Sequence, residues 1–159
     1  MKAFIVVESV FGNTRLIAEA IADGLRSVGA EALVISACEA PETVTCDLLV
    51  LGAPTHFRGL PSPRSREQAV ARGAADVPPT GLREWLATAD LTSAKKVAFF
   101  DTVSARRWAG SAARAMRRAV PGGKRMERRS FVVGGDVPVL DEGEIESARA
   151  WGAALAGAR

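Results

Sequence analysis

The sequence predicts an α/β fold, an open sheet of five parallel strands with helices on both faces. Five short runs are apolar at consecutive rather than alternate positions, as strands buried on both faces must be. Helix-period segments separate them, the alternation that builds a parallel sheet. The chain has 159 residues, 48% hydrophobic and 25% charged, enough for a single domain over residues 1–159 with a substantial core.

The first strand is AFIVV at residues 3–7. Ile17, Ile21, Leu25 and Val28 then recur at helical spacing, and Gly29 stops that helix as a C-terminal cap would. ALVIS (32–36), DLLVLG (47–52) and KVAFF (96–100) are the second, third and fourth strands. A helix over residues 108–120 carries Ala109, Ala112, Ala113, Met116 and Val120 on one stripe, and SFVVGG (130–135) is the fifth strand. Asp141 offers an N-cap to a last helix, with Glu144 three residues on and Ile145, Ala148, Gly152 and Leu155 facing inward. Trp85 and Trp151 stand at helical apolar positions and are expected in the core. Strands three and four are joined by more than forty residues containing Pro61, Pro63, Pro78 and Pro79, then a helical stretch at 80–89. A connection this long carries function or structure of its own.

Composition excludes several classes. No apolar run reaches the length of a membrane span. The opening MKAFIVVESVFG is too short in its apolar part for a leader, so a cytoplasmic location is expected. Cys38 and Cys46 do not form a CxxC pair and are too few for a zinc site, and they are expected reduced. The net charge of +3 is uneven. Between Arg106 and Arg129 stand nine basic residues and one acid, Glu127, a window of +8 against −5 for the remainder. Arg107, Arg114 and Arg118 share a helix face there, either an ordinary solvated surface or a docking patch for an anionic partner. No aromatic residues interleave with these arginines and no binding motif accompanies them, which argues against nucleic acid.

The chemistry-bearing motif is SVFGNT, which leaves strand one and opens helix one: Ser9, Val10, Phe11, Gly12, Asn13 and Thr14. In an open parallel sheet the ligand lies beyond the carboxyl ends of the strands, where the strand order switches. A helix start there presents unpaired N–H groups and the positive end of the dipole. Gly12 permits close backbone approach, and Ser9, Asn13 and Thr14 add side-chain donors, together an anion cradle suited to phosphate. The plainer alternative is a turn with a helix cap, where the same residue types are common. Other phosphate loops fit worse: there is no GxxxxGK followed by serine or threonine, no GxGxxG after strand one, and PGGKR at Pro121 reads as a turn. A receiver domain would need clustered aspartates where this chain has Glu8 and Gly52.

SVFGNT followed by an amphipathic helix resembles the FMN-phosphate loop of the flavodoxin family, whose sheet order is 2-1-3-4-5. The family pattern has a hydroxyl residue at the third position, where Phe11 stands here with only its backbone N–H to offer. GAPTHFRG (52–59) resembles the family's first flavin loop, which implies flavin contacts for Pro54, Thr55, His56, Phe57, Arg58 and Gly59. His56 falls where that loop often has a stacked aromatic, and its other reading is a polar loop residue. Phe57 is a flavin-edge contact or a packing residue. FDTVSARRW (100–108) resembles the second flavin loop, which implies backbone donors at Asp101, Thr102 and Val103 and a ring-covering Trp108. Strand capping by Asp101 and Thr102 and a core position for Trp108 are the alternatives. GLREWL, FVVGG and ESARAWGAALA also look like small bacterial flavodoxin-like proteins, so the resemblance covers nearly the whole chain.

The resemblance implies an FMN-binding redox protein that transfers electrons through non-covalently bound FMN. Two alternatives stand beside it: an FMN-dependent NAD(P)H:quinone-type reductase with the long crossover as a lid, and a flavodoxin-like module that has lost FMN and serves binding or structure. The expected partner is a redox protein or a small anionic or quinone acceptor at the basic 106–129 surface. No Ser/His/Asp, Cys/His or paired-carboxylate set offers a different mechanism.

Overall fold

The computed structural model describes residues 1–105, 110–123 and 126–157. Its strands are β1 (Lys2–Val7), β2 (Glu31–Ser36), β3 (Cys46–Pro54), β4 (Ala94–Ser104), β5 (Arg128–Gly134) and β6 (Val139–Leu140). Its helices are α1 (Asn13–Ser27), α2 (Pro63–Ala71), α3 (Leu82–Thr88), α4 (Ala112–Ala119) and α5 (Glu144–Gly157). They form one sheet in the order β2-β1-β3-β4-β5-β6. The first five strands are parallel, as the sequence predicts, and the two-residue β6 adds an antiparallel edge against β5.

Side chains alternate faces along a strand, so an uninterrupted apolar run feeds two cores. Ile5, Leu48, Val50, Phe100 and Phe131 face α1 and α5, meeting Ile17, Ile21, Leu25 and Trp151. Val6, Leu49, Leu51 and Phe99 face the other way, toward Leu82 and Trp85 of α3 and Met116 of α4. Each such large side chain contributes about 1.5–3 kcal/mol by leaving water. Helices α1 and α5 approach closely enough that a Cβ on Gly24 would lie 2.0 Å from the Arg149 carbonyl oxygen, and one on Gly152 2.2 Å from that of Ile21. No larger residue fits either position without parting the helices.

Several boundaries differ from the sequence expectation. Val28 is the C-cap of α1 and 54% exposed rather than core. β4 runs on to Ser104 because Asp101, Thr102 and Val103 pair with Ser130, Phe131 and Val132 of β5, so these three residues lie in the strand and not in a loop. The helix expected from residue 108 begins at Ala112. The crossover after β3 holds a second helix, α2, which the apolar pattern does not announce. Cys38 is exposed and Cys46 buried, and neither is in a disulfide. Among the described residues, no helix is long and apolar enough to cross a membrane and no side-chain cluster could hold a metal ion.

Candidate functional site

The carboxyl ends of β1, β3 and β4 open onto a cleft of about 530 Å³. That is within the ~300–1,000 Å³ of small-molecule and cofactor sites. One wall comes from the β1–α1 turn. Gly12, at φ 92°, lets the chain reverse into α1. The Ser9 hydroxyl accepts from the Arg15 N–H at 3.2 Å. Among the described residues, the backbone N–H groups of residues 10–14 meet no protein acceptor. Successive free donors at the positive end of a 15-residue helix have the chemistry to receive an anion. The Asn13 side chain is otherwise engaged, donating to the Pro138 carbonyl at 2.7 Å. Thr14 and Thr102, both buried, join hydroxyls at 2.9 Å and so clamp α1 to β4.

The second wall follows β3. Pro54, Thr55 and His56 line the cleft. His56 and Gly59 then exchange both backbone hydrogen bonds, each 2.9 Å, around Phe57 at φ 42° and Arg58 at φ 74°. Two central residues with positive φ make a hairpin turn of the mirror-image type, unusual without glycine or asparagine. The turn carries Phe57 away from the cleft, where it is 80% exposed. Arg58 bridges to Gly110, and neither it, Phe57 nor Gly59 lines the cleft.

The third wall is the end of β4, with Thr102 and Ser104 on the cleft surface. Asp101 lies beneath it, fully buried. Its Oδ2 accepts from the Thr55 hydroxyl at 3.1 Å, the Ser111 hydroxyl at 2.6 Å and the Ala113 N–H at 2.9 Å. Thr55 Oγ1 in turn accepts from the Ala112 N–H, and Ser111 Oγ from the Arg114 N–H. The first turn of α4 is thereby capped, and a carboxylate sits at the positive end of its dipole. Val103 is partly buried and off the cleft surface, and Trp108 lies outside the described residues. Ser9, Val10 and Gly12 border a second cleft of about 780 Å³ on the opposite side of the β1–α1 turn, while Phe11 borders both.

The structure adds residues that the motifs did not reveal. Glu8, immediately before the turn, is fully buried and accepts from Arg66 Nε of α2 at 2.8 Å and the Leu82 N–H of α3 at 2.9 Å. The Arg66 guanidinium also makes a forked pair with Glu84, at 3.1 and 2.7 Å. A Cβ on Gly81 would sit 2.0 Å from Glu8 Oε2, so only glycine admits this carboxylate. Burial alone would lower the Arg66 pKa, but the bonds to Glu84 and Glu8 outweigh it and hold the pKa above its ordinary value. Burial would likewise raise that of Glu84, which Arg66 and the Gly81 N–H instead pull down. Next to Arg66, Ser65 Oγ lies 3.0 Å from His56 Nδ1 and fixes the imidazole ring. The available signal was SPRS at 62–65, a serine N-cap with proline at the first helical position, which starts α2.

Burial first, then the charges of Arg66 and Arg72, push the His56 pKa down from 6.5 to about 4. The ring is therefore neutral at pH 7. As pH falls below 6.5 the unfolded chain binds a proton that the folded chain refuses, so stability drains away down to about pH 4 and no further on this account. His56→Gln is expected to remove that component. Melting temperatures of the two proteins, followed from pH 7 to pH 4, should diverge from their pH 7 difference in favour of the variant. Parallel curves would mean that His56 titrates normally.

No family model matches the sequence, and no curated protein matches it either. Solved structures do match. Flavodoxin 1 of Bacillus cereus aligns at a TM-score of 0.66 with 19% identity, over 100% of this chain and 99% of that one. The flavodoxin of Megasphaera elsdenii, in its two-electron reduced form, aligns at 0.63 with 17% identity over 98% and 99%. The flavodiiron protein of Giardia intestinalis aligns at 0.62 with 18% identity over 98% of this chain, which spans 35% of that protein. The chain has the flavodoxin fold, and the cleft lies at that fold's switch between β1 and β3.

Proposed function

We propose that the protein binds FMN non-covalently in the 530 Å³ cleft and acts as a flavodoxin-like redox protein. The observation that carries this is the set of backbone N–H groups without protein acceptors at Phe11, Asn13 and Thr14, residues that line the cleft where α1 starts. Those groups suit a phosphate. The hydroxyl-rich wall of Thr14, Thr55 and Thr102 suits a polyol chain, and Pro54 with His56 supplies a surface for a planar ring system. Bound FMN would supply one- and two-electron redox chemistry. The chain's own residues bind it, orient it and exclude water, and the neutral His56 adds no charge beside the ring.

Flavin fluorescence titration tests the reading. FMN should bind at least roughly tenfold more tightly than riboflavin, because hydrogen bonds to a charged phosphate contribute about 1.5–3 kcal/mol each. Equal affinities, or none, would refute a phosphate site at residues 10–14.

The redox partner, on this reading, is an anionic protein or small acceptor approaching the α4 side. Arg114 and Arg118 of α4 are exposed, whereas Arg129 is turned toward α5, donating to Ser147 Oγ at 2.7 Å. Arg107 lies outside the described residues. An exposed cationic face steers oppositely charged partners and makes rates fall with salt. Reversing Arg114 and Arg118 to glutamate should slow flavin reoxidation by an anionic acceptor several-fold at low ionic strength and leave FMN affinity unchanged. Rates indifferent to the reversal and to salt would reduce this face to solvated helix.

A further inference from the structure

The substitution of Phe11 for the hydroxyl residue of the phosphate loop has a structural counterpart across the cleft. Phe11 does not simply leave a hydrogen bond unmade. It packs with Val10, Ala69, Ala74 and Val77, tying the β1–α1 turn to the C-terminal end of α2. On its ring face lies the Arg72 guanidinium, 5.9 Å from the centroid. Arg72 is the C-cap of α2, so the serine-capped start of that helix and its packing on Phe11 together fix where the side chain emerges. It lines the same cleft as Asn13 and Thr14.

The guanidinium is held but not neutralised. Nη2 donates to the Asp136 carbonyl at 3.1 Å, which occupies one of its five N–H donors among the described residues. None of the ion pairs among the described residues involves Arg72. Its charge is nevertheless felt inside the cleft, since Arg72 is one of the two cations that disfavour protonation of His56. A positioned cation with free donors at the edge of a nest of N–H groups is the arrangement that binds a phosphate monoester dianion.

We propose that Arg72, held on the face of Phe11, is a phosphate-binding residue that takes over the role of the missing loop hydroxyl and adds a full positive charge to the cradle. The proposal rests on the FMN reading and makes a claim that reading does not. A cradle of amides and hydroxyls holds phosphate with little dependence on salt, whereas a cradle with an exposed guanidinium weakens as ionic strength rises.

Fluorescence titrations with FMN and riboflavin at low and high salt test it. Arg72→Gln should weaken FMN roughly 10- to 100-fold at low salt and flatten its salt dependence, while riboflavin changes less than about twofold. Arg72→Lys, which keeps the charge but loses the fork, should fall between. Phe11→Leu keeps the apolar packing but removes the ring face, and should weaken FMN by roughly two- to fivefold. Because riboflavin shares every feature but the phosphate, it reports any general damage to the cleft. If wild-type protein prefers FMN to riboflavin and Arg72→Gln retains that preference in full, the role of Arg72 is overturned and the FMN reading stands. Equal losses for both flavins overturn it as well. A wild-type protein that does not distinguish the two flavins overturns both.

Discussion

Arg66→Ala is expected to destabilise the protein by about 3–5 kcal/mol, because it leaves the Glu8 carboxylate buried without its cation. For a chain of this length that lowers the melting temperature by roughly 6–20 °C. Glu8 and Arg66 have side-chain exposures of 0% and 4%, so water cannot replace the lost guanidinium without opening the packing of α2 and α3. Glu84 loses its forked partner in the same step but is partly exposed and recovers solvation, so most of the loss belongs to Glu8. Removing both charges is different from removing one. Glu8→Gln combined with Arg66→Met should recover part of the stability, since an ion pair replaced by neutral groups of similar volume no longer strands a charge. Urea unfolding of the three proteins separates these cases. An Arg66→Ala loss below about 1 kcal/mol would show that the carboxylate is not confined as the distances imply. The network also carries consequences for the cleft, because α2 brings Ser65 to His56 and Arg72 to Phe11. Arg66→Ala should weaken flavin binding even though Arg66 does not line the cleft.

That same network explains which parts of the structure the sequence could disclose. The five parallel strands were legible because burial on both faces demands consecutive apolar residues, and Ile5, Leu49, Val50 and Phe99 satisfy that demand. α1 and α5 were legible because each buries a regular apolar stripe. α2 was not, because its buried residues are Ser65, Arg66 and Ala69. It packs through an ion pair and a serine, and a search for apolar periodicity cannot see a helix held that way. β6 is two residues long and carries no pattern at all. The end of β4 is hidden in the sequence because three of its last four residues, Asp101, Thr102 and Ser104, are polar, yet the segment completes its backbone bonds against β5.

The site divides along similar lines. The three loops were recognisable, and the structure brings Phe11, Asn13, Thr14, Pro54, Thr55, His56 and Thr102 onto one cleft. What spacing could not show is which functional groups the protein itself already uses. The Asn13 amide is bound to Pro138 and the Thr14 hydroxyl to Thr102. The local backbone, rather than these side chains, supplies the unpaired donors. Arg72 was invisible because SPRS can announce where α2 starts but not where its C-cap side chain emerges after the crossover has folded. Phe57, which stands beside a histidine that does line the cleft, is turned outward by a backbone conformation that no residue-type pattern signals.

Asp101→Ala is expected to cost about 3 kcal/mol and to disturb the cleft from below. Its Oδ2 holds three donors, from Thr55 just after β3, from the N-cap of α4 and from that helix's first turn. Hydrogen bonds to a charged acceptor contribute about 1.5–3 kcal/mol each, but their loss is not additive, because water and local shifts satisfy some of the donors. Asp101→Asn keeps an oxygen for those donors and loses the charge at the helix N-terminus, which alone is worth about 0.3–1 kcal/mol. It also places an amide N–H where Oδ1 now has no partner among the described residues. The asparagine variant should therefore fall between wild type and alanine in urea midpoint. The two readings of Asp101 that its sequence left open predict different couplings. If it acts as a cap, flavin affinity falls only as far as the Thr55 wall loosens, and Thr55→Val combined with Asp101→Ala should add little to either effect. If instead its backbone N–H faces the flavin, as the resemblance implies, Asp101→Asn leaves that donor in place and flavin affinity stays unchanged while stability falls. The buried carboxylate and its three protein donors argue for the first, and a double-mutant cycle on Thr55 and Asp101, read in both stability and FMN affinity, decides between them.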